Sequence, residues 1–417
     1  MPVRPLTSNF WALHPEHLLL AAAIALGPFR EHRDYSLGLT ILWLSLHWIR
    51  ALWAQRNLIH RQLTTIVPGI ALGLLLIQTR MLLTMEDHEG PTRYMLIAFA
   101  LLVGSNLSLA SWKRLLQWIT AGSLAVSIFF LVSLATSNGA WLGTVNKDVF
   151  GEGYGGINML GSVLNIFTVL SAYTLRISKN NLIKLLAAST FFTSYALCLA
   201  SNSRMTAVAP LLALFIAWIT SEGWKKLLKL SNPFRPAAIL FVLSVPAAIY
   251  WYGAILPDIG SGMKSDIARL NIWQCSLENS IFAGNNRIAY GNGFQWKPIQ
   301  EACGHWQAHS SYVHFLSMHG LLGLIALAVI MLIVFKGIRD HLRQSGHERS
   351  LWHSSWGEVA LGSTLVVMIT AVSSTTYLGG YLNPFLIGLM LSMGLAPLPR
   401  DQSKPEADQG EARINAN

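Results

Sequence analysis

A histidine and two arginines are the side chains in this 417-residue sequence whose types and surroundings best suit chemistry. His309 opens the apolar segment HSSYVHFLSMHGLLGL, where a histidine can exchange protons with water and substrate at a membrane surface. Arg204 follows a polar turn between two apolar segments, and Arg269 begins the stretch RLNIWQCSLENSIF, whose apolar spacing predicts a helix. Arginine matches phosphate oxygens with paired hydrogen bonds. The three residues therefore favour metal-free group transfer from a lipid pyrophosphate, whose departing charge arginines stabilise.

Each of these residues also has a plainer interpretation. His309 can cap a helix at a membrane interface, Arg204 can anchor a helix there, and Arg269 can lie on the solvated face of a loop helix. Arg80 lies in an apolar run, where it can hold phosphate or pair with a carboxylate such as Glu86. Four residues are additional candidates for the same site: Arg80, Asn202, Trp273 and Tyr312.

Cofactor-dependent chemistry is not indicated by the sequence. It contains no Asp-x-Asp, His-Glu-x-x-His or Cys-x-x-Cys pattern, and the acidic cluster at 86–89, which could bind a divalent cation, is interpreted instead as a solvated loop. Neither a Walker A loop nor a Gly-x-Gly-x-x-Gly turn between a strand and a helix is present. We therefore expect no metal, no nucleotide and no other cofactor.

Two of the three cysteines share one polar stretch of the chain. Cys275 and Cys303 could form a disulfide on the oxidising side of a bacterial membrane, but their spacing alone does not define the geometry that a disulfide needs. Cys198 lies in an apolar segment and is expected to pack there as a small apolar residue.

The composition predicts that these residues are positioned by membrane helices. Hydrophobic residues make up 53% of the chain and charged residues only 12%, which a bilayer accommodates and a soluble domain does not. The predicted fold is an all-α integral membrane protein with twelve transmembrane helices. The predicted spans lie near 16–29, 35–53, 63–85, 92–109, 113–136, 155–176, 182–201, 204–220, 234–254, 309–336, 355–376 and 380–397.

The distribution of charge predicts the orientation of these spans. With a cytoplasmic N-terminus, 20 of the 30 lysines and arginines fall on the inside, together with 9 of the 20 acidic residues. Positive charge on the cytoplasmic side is the rule for membrane proteins. The high net charge of +10 thus reflects topology, and no nucleic-acid partner is expected.

The spans divide the chain into four predicted parts. Residues 1–254 hold spans one to nine, residues 255–308 form one large, partly helical periplasmic loop, and residues 309–397 hold spans ten to twelve. Residues 398–417 are polar and are predicted to be a disordered cytoplasmic tail. No cleavable signal peptide is evident, and the oligomeric state is left open.

Several motifs in this arrangement resemble the superfamily of bacterial O-antigen ligases and O-antigen polymerases. The similarity lies in their order, side and spacing, with one large periplasmic loop between the ninth and tenth spans. The motifs are Ser201-Asn202-Ser203-Arg204 before a span, Arg269 with Trp273, Gly291-Asn292-Gly293-Phe294, and His309 with Tyr312 before Gly320 and Gly323-Leu324.

The resemblance implies an inner-membrane O-antigen ligase of lipopolysaccharide biosynthesis. Such an enzyme moves O-antigen polysaccharide from undecaprenyl pyrophosphate to a sugar of lipid A–core at the periplasmic face, without metal or nucleotide. By position, Arg204 and Arg269 correspond to the two arginines that engage the pyrophosphate. His309 corresponds to the histidine that acts as base toward the acceptor hydroxyl or orients the donor. The segment 280–284 departs from the family pattern, because many members carry a proline before the glycine-rich element.

Three other activities remain alternatives. A polymerase would use a second lipid-linked repeat unit as acceptor, and the short outer loop at 137–154 is compatible with it. A protein oligosaccharyltransferase of this superfamily usually has a larger soluble portion. A transporter or flippase is the alternative from a different class, but its polar residues should lie near the middle of the membrane rather than at the outer edge.

Overall fold

The computed structural model describes residues 15–27, 29, 32–54, 89–136, 157–200, 204–223, 259–284, 287–292, 297–304, 308, 310–344, 351–373 and 381–397, and every regular element among them is a helix. These helices are α1 (Pro15–Leu26), α2 (Arg33–Ala54), α3 (Glu89–Ser105), α4 (Leu109–Thr136), α5 (Ile157–Ile177), α6 (Asn181–Ala200), α7 (Arg204–Trp218, continued by a π-helical turn Ile219–Gly223), α8 (Ile259–Glu278), α9 (Arg287–Tyr290), α10 (Lys297–Cys303), α11 (Ser311–Gln344), α12 (Leu351–Ser373) and α13 (Leu382–Ser392, followed by a 3₁₀ turn Met393–Leu395). The predicted helical class is confirmed for the described part of the chain.

Five of the described helices are long and apolar enough to cross a membrane. Their apolar segments are Leu109–Ser133, Leu160–Ile177, Asn181–Ala200, Ser311–Arg343 and Ser355–Val372. Four shorter helices are also apolar, within α1, α3, α7 and α13. By length and apolar composition, these helices are compatible with the membrane character predicted from the sequence. The count of twelve spans includes segments outside the described residues and stays a prediction.

Helix α5 lies at the centre of the described bundle, where every side chain from residue 160 to 171 is buried. It packs against α4, α6, α7, α12 and α13. A helix covered around its whole circumference belongs to the interior of a large bundle. Gly161 allows α7 to approach closely, since a Cβ atom there would lie 2.5 Å from Oγ1 of Thr206.

Polar side chains on α5 bond to the helices around it. The amide of Asn165 donates to Oγ1 of Thr370 on α12 at 3.2 Å, and Oγ1 of Thr168 lies 3.0 Å from Oγ of Ser194 on α6. The thiol of Cys198 on α6 is buried and donates to Oδ1 of Asn165 at 3.4 Å. In a low-dielectric bundle such bonds hold helices together, because an unsatisfied polar group is costly there.

One end of the bundle is organised by a buried carboxylate, and we call it the Glu358 end. Glu358 on α12 is only 3% exposed and accepts a hydrogen bond from the guanidinium of Arg176 on α5. Ser221, in the turn after α7, donates to its other carboxylate oxygen at 2.8 Å. The hydroxyl of Tyr173 donates to the backbone oxygen of Glu358 at 3.1 Å. Three helices are thus tied together at one carboxylate.

The opposite end of the bundle is organised by a tyrosine–histidine hydrogen bond and by ring contacts, and we call it the His319 end. Oη of Tyr94 on α3 lies 2.9 Å from Nε2 of His319 on α11. The guanidinium of Arg33 at the start of α2 lies 4.8 Å from the ring centre of Tyr381, before α13. The charge pattern of the sequence predicts that the segments in contact at this end lie on one side of the membrane. It predicts that the segments that meet at Glu358 lie on the other side.

Replacing Glu358 with alanine should lower thermal stability. The change leaves Arg176 and Ser221 without their shared acceptor, and hydrogen bonds to a charged group are worth about 1.5–3 kcal/mol each before relaxation. We expect the lower part of that range, because the Arg176 side chain is 45% exposed and can turn to water. The measurement is the melting temperature of the purified protein in detergent.

The matched control for this variant is Glu278→Ala. Glu278 is exposed and, among the described residues, accepts a hydrogen bond from Gln274 on its own helix, so its loss should change stability by less than about 0.5 kcal/mol. Equal melting temperatures for the two variants would show that the Glu358 cluster does not hold the bundle.

Candidate functional site

The first nine residues of α11 form a half-helix, Ser311–His319, that is polar and yet largely buried. Its buried polar residues include His314 at 2% exposure and His319 at 8%. Ser311 and Ser317 are also buried, and Tyr312 is half-buried. A polar segment enclosed by protein within a membrane helix breaks the usual apolar pattern, and such breaks tend to mark functional sites.

The half-helix ends at Gly320, where the backbone leaves helical geometry with φ 61° and ψ −160°. Gly291, in the turn after α9, also has a positive φ of 66°. A Cβ atom on Gly320 would lie 2.5 Å from the backbone nitrogen of Gly291, and one on Gly291 would lie 2.6 Å from the backbone nitrogen of Gly320. The two backbones therefore touch directly, and both positions require glycine.

Hydrogen bonds from three different elements hold the half-helix. The backbone N–H of Asn292 donates to the Ser317 carbonyl at 2.9 Å, which joins the turn after α9 to the half-helix. The hydroxyl of Tyr312 donates to the carbonyl oxygen of Met368 on α12 at 3.0 Å. The third bond is the one between Tyr94 and His319. The half-helix is thus fixed by the loop, by α12 and by α3.

Rings and basic groups surround the buried histidines. The ring of His319 lies 4.6 Å from the ring of Phe315 and 5.4 Å from that of Tyr94, measured between centroids. His314 lies within electrostatic range of both His319 and Arg93. This part of the site combines groups that can donate and accept protons with a positive charge next to them.

A disulfide between Cys275 and Cys303 links α8 to α10 across 28 positions of sequence. The pairing that the sequence left undecided is therefore present. A disulfide that closes a loop of this length lowers the conformational entropy of the unfolded chain, which stabilises the folded protein by about 3–4 kcal/mol. The amide of Asn279 also donates to the Cys275 carbonyl at 2.9 Å. The link matters for the site because α8 carries Arg269 and because α10 leads toward position 309.

The predicted site residues fall into two groups. Arg269 is partly exposed on α8. The sequence predicted a helix from 269 to 282, and the structure has one there that ends at Glu278. Trp273, one turn further along α8, is partly buried, and its indole N–H finds no acceptor within the described part of the chain. Tyr312 lies in the half-helix, and Arg204 is the first residue of α7.

The other predicted residues lie outside the described ones, and these are His309, Arg80 and Asn202. The chain on both sides of His309 is nevertheless defined. Ala308 is 0% exposed, and Ser310 is 2% exposed. The carbonyl of Ser310 accepts from the N–H of His314 at 3.0 Å. Position 309 is therefore joined directly to a residue that is already hydrogen-bonded into the half-helix.

Four residues at the site were not predicted, namely Arg93, Tyr94, His314 and His319. The sequence carries a signal for the two histidines, because 309, 314 and 319 are histidines at a constant spacing of five at the start of a predicted membrane span. Histidine in a membrane helix is a functional candidate by default. Nothing in the sequence around Arg93 and Tyr94 links them to a segment more than 200 residues away.

Comparison with protein-family models finds no matching family, and comparison with curated proteins finds no similar sequence. The resemblance to O-antigen ligases therefore rests on the motifs alone, and function has to be argued from the site.

The arrangement suits proton transfer and the binding of an anionic group. The Gly291 turn and the histidine-rich run before Gly320, two separate motifs of the sequence, meet in direct contact. The disulfide links α8, which carries Arg269, to α10. Histidine, tyrosine and arginine are the groups that general acid–base chemistry and phosphate binding need.

Replacing Gly320 with alanine should disrupt the site through its backbone contact. The variant must accept a backbone conformation that is essentially confined to glycine (φ 61°, ψ −160°), which costs about 1–3 kcal/mol, and must also push the Gly291 backbone away. We expect a loss of stability clearly larger than the conformational cost alone, measured by thermal denaturation in detergent.

Gly304→Ala is the matched control, because Gly304 has a similar φ of 69° but no described atom within 4 Å of its Cβ position. It should show only the conformational cost. If Gly304→Ala and Gly320→Ala are equally destabilising, the backbone contact with Gly291 contributes nothing.

Proposed function

We propose that the chain is an inner-membrane O-antigen ligase. It would transfer O-antigen polysaccharide from undecaprenyl pyrophosphate to a sugar of lipid A–core, at the periplasmic face and without a metal. The observation that carries the proposal is the direct packing of the Gly291-Asn292 turn on the half-helix that follows His309. These are two of the motifs on which the family resemblance rests, and no sequence pattern requires them to meet.

The proposed topology has twelve spans, both termini in the cytoplasm and residues 255–308 in the periplasm. Two observations support it. Segment ends that the charge pattern assigns to one side contact one another at the Glu358 end, and those assigned to the other side meet at the His319 end. The Cys275–Cys303 disulfide in the loop also fits an oxidising compartment.

The proposed reaction is a single displacement at the sugar. The acceptor hydroxyl oxygen attacks the anomeric carbon and forms the new glycosidic bond, while the bond from that carbon to the pyrophosphate oxygen breaks. His309 takes the proton of the hydroxyl. Undecaprenyl pyrophosphate leaves with the electron pair of the broken bond, and Arg204 and Arg269 stabilise its charge. One displacement inverts the configuration at this carbon.

In this scheme the glycine contact and the disulfide give the reacting groups a fixed geometry. The half-helix holds Ser310, the residue next to His309, and the disulfide ties α8 to α10, which precedes it in the chain. Catalysis depends on such fixed positions, since a displacement of about 1 Å can cost roughly a hundredfold in rate.

A transfer assay tests the function directly. Purified protein receives undecaprenyl-pyrophosphate glycan without metal or nucleotide, with lipid A–core in one reaction and no second acceptor in the other. A product that needs lipid A–core supports the ligase. Longer glycans from donor alone would instead identify a polymerase, and absence of product in both reactions would contradict group transfer.

Substitution of the three proposed residues should reduce transfer by different amounts. His309→Ala should lower turnover by roughly a hundredfold to ten-thousandfold, the usual contribution of a general base. Arg204→Lys and Arg269→Lys keep the charge but lose paired hydrogen bonds, and each should cost about tenfold or more.

The control for these variants is Arg343→Lys, at an exposed arginine at the Glu358 end of α11. It should transfer like the wild type. Full activity of both Arg204→Lys and Arg269→Lys would rule out paired arginine contacts with phosphate, and full activity of His309→Ala would leave that histidine as a helix cap.

Thiol labelling tests the proposed sidedness. After mild reduction, a membrane-impermeant maleimide added to spheroplasts should label Cys275 and Cys303. A cysteine introduced by Ser403→Cys, in the predicted cytoplasmic tail, should react only after the membrane is opened. Buried Cys198 should stay unlabelled throughout. The reverse pattern would place the loop in the cytoplasm and contradict the proposed site.

A further inference from the structure

The half-helix Ser311–His319 needs external support, because Gly320 separates it from the rest of α11. Isolated helices shorter than about 12–15 residues are marginal, and this one has nine. Its position must therefore come from contacts with other elements. Of the three hydrogen bonds between it and other described segments given above, two use a backbone carbonyl as acceptor. The third joins the side chains of Tyr94 and His319.

We propose that the Tyr94–His319 hydrogen bond is a positioning contact that holds the half-helix, and with it the segment at 309, in the geometry needed for turnover. The proposal rests on the proposed function for its effect on the reaction. In this proposal neither residue contacts the glycan donor or the acceptor sugar. Both act through the half-helix.

The surroundings of the bond favour a single fixed geometry. Tyr94 is 5% exposed and His319 is 8% exposed, so water does not compete for the bond. The Tyr94 ring meets the imidazole edge-on, with 82° between the ring planes, and Phe315 contacts both rings with centroids at 6.2 and 4.6 Å. Three rings from two helices thus form one packed group around the bond.

The place of the bond in the half-helix also matters. Tyr312 binds α12 near the start of the half-helix, whereas His319 is its last residue before the break. The loop contact at Ser317 and Gly320 lies beside His319. Loss of the Tyr94 hydroxyl leaves a buried imidazole nitrogen of His319 without this partner. His319 lies next to Gly320, where the backbone can pivot. We expect the start of the half-helix to be displaced as a result.

Four variants test the proposal in the transfer assay. Tyr94→Phe removes one hydroxyl and should lower turnover by at least about tenfold, as a small misplacement does. His319→Leu should have a similar effect, while His319→Gln keeps a hydrogen-bonding group and should recover much of the activity. The double variant Tyr94→Phe/His319→Leu should be no worse than the single ones, because both remove the same bond.

Tyr173→Phe is the matched control. Tyr173 is also buried and donates one hydrogen bond to a backbone carbonyl, but it lies at the Glu358 end. Turnover is expressed per molecule that binds undecaprenyl pyrophosphate, which corrects every variant for its folded fraction. We expect the Tyr94→Phe and Tyr173→Phe proteins to bind this probe with unchanged affinity, and only Tyr94→Phe to turn over slowly.

Hydrogen exchange gives a second measurement that does not need the reaction. Peptides covering residues 310–319 should exchange faster in Tyr94→Phe than in the wild type, and should be unchanged in Tyr173→Phe. If wild-type protein transfers nothing, the proposed function fails, and exchange alone then judges whether the bond holds the half-helix.

Two results would overturn the positioning role. One is unchanged exchange at 310–319 in Tyr94→Phe. The other is normal turnover per probe-binding molecule in Tyr94→Phe when the wild type is active, which would make the bond a contribution to stability only. Additive losses in the double variant would likewise show that the two side chains do not act through a shared bond.

Discussion

The contact between the backbones at Gly291 and Gly320 is the constraint on which the rest of the site depends. A continuous α11 would leave no space for the turn after α9, and a side chain at either glycine would occupy the contact. The break at Gly320 gives up helical hydrogen bonds, and the N–H of Asn292 replaces part of that loss by donating to Ser317. The loop and the half-helix therefore form one unit. Its covalent reinforcement, the Cys275–Cys303 disulfide, lies in the same loop.

The two ends of the bundle solve the problem of buried polar groups in different ways. At the Glu358 end a carboxylate is paired with an arginine that still reaches water, which limits the desolvation of the charge. At the His319 end the buried bonds that hold the half-helix join one tyrosine hydroxyl to an imidazole and another to a backbone carbonyl. Between the two ends, the described contacts from Asn165 and Thr168 of α5 are made with threonine, serine and cysteine side chains. Strong charges thus stay near an end, and the interior is held by neutral hydrogen bonds.

The sequence predicted the helices well, but it did not predict which of them contact one another. Apolar runs defined the helices, and the turn before Arg204 and the spacing after Arg269 gave a helix start and a loop helix that the structure has. The break at Gly320 was not predicted, because the sequence around a glycine in an apolar run is the same whether the helix is straight or broken there. Tyr94 was missed for a related reason, since hydrogen-bond partners distant in sequence leave no periodic pattern. The disulfide needed a distance that spacing does not contain.

A broken helix is well suited to carry reacting groups at a membrane surface. The segment of α11 after Gly320 has 24 residues and is about 36 Å long at 1.5 Å per residue, enough to cross a hydrocarbon core of about 30 Å. The half-helix is therefore not needed for spanning. A spanning helix adjusts its tilt to the thickness of the bilayer, and in an unbroken helix that tilt would move every group at its outer end. With the break at Gly320, a change in the tilt of the segment after it can be absorbed at that one residue. The half-helix before it stays fixed to α3, α12 and the loop, whose positions relative to one another define the site.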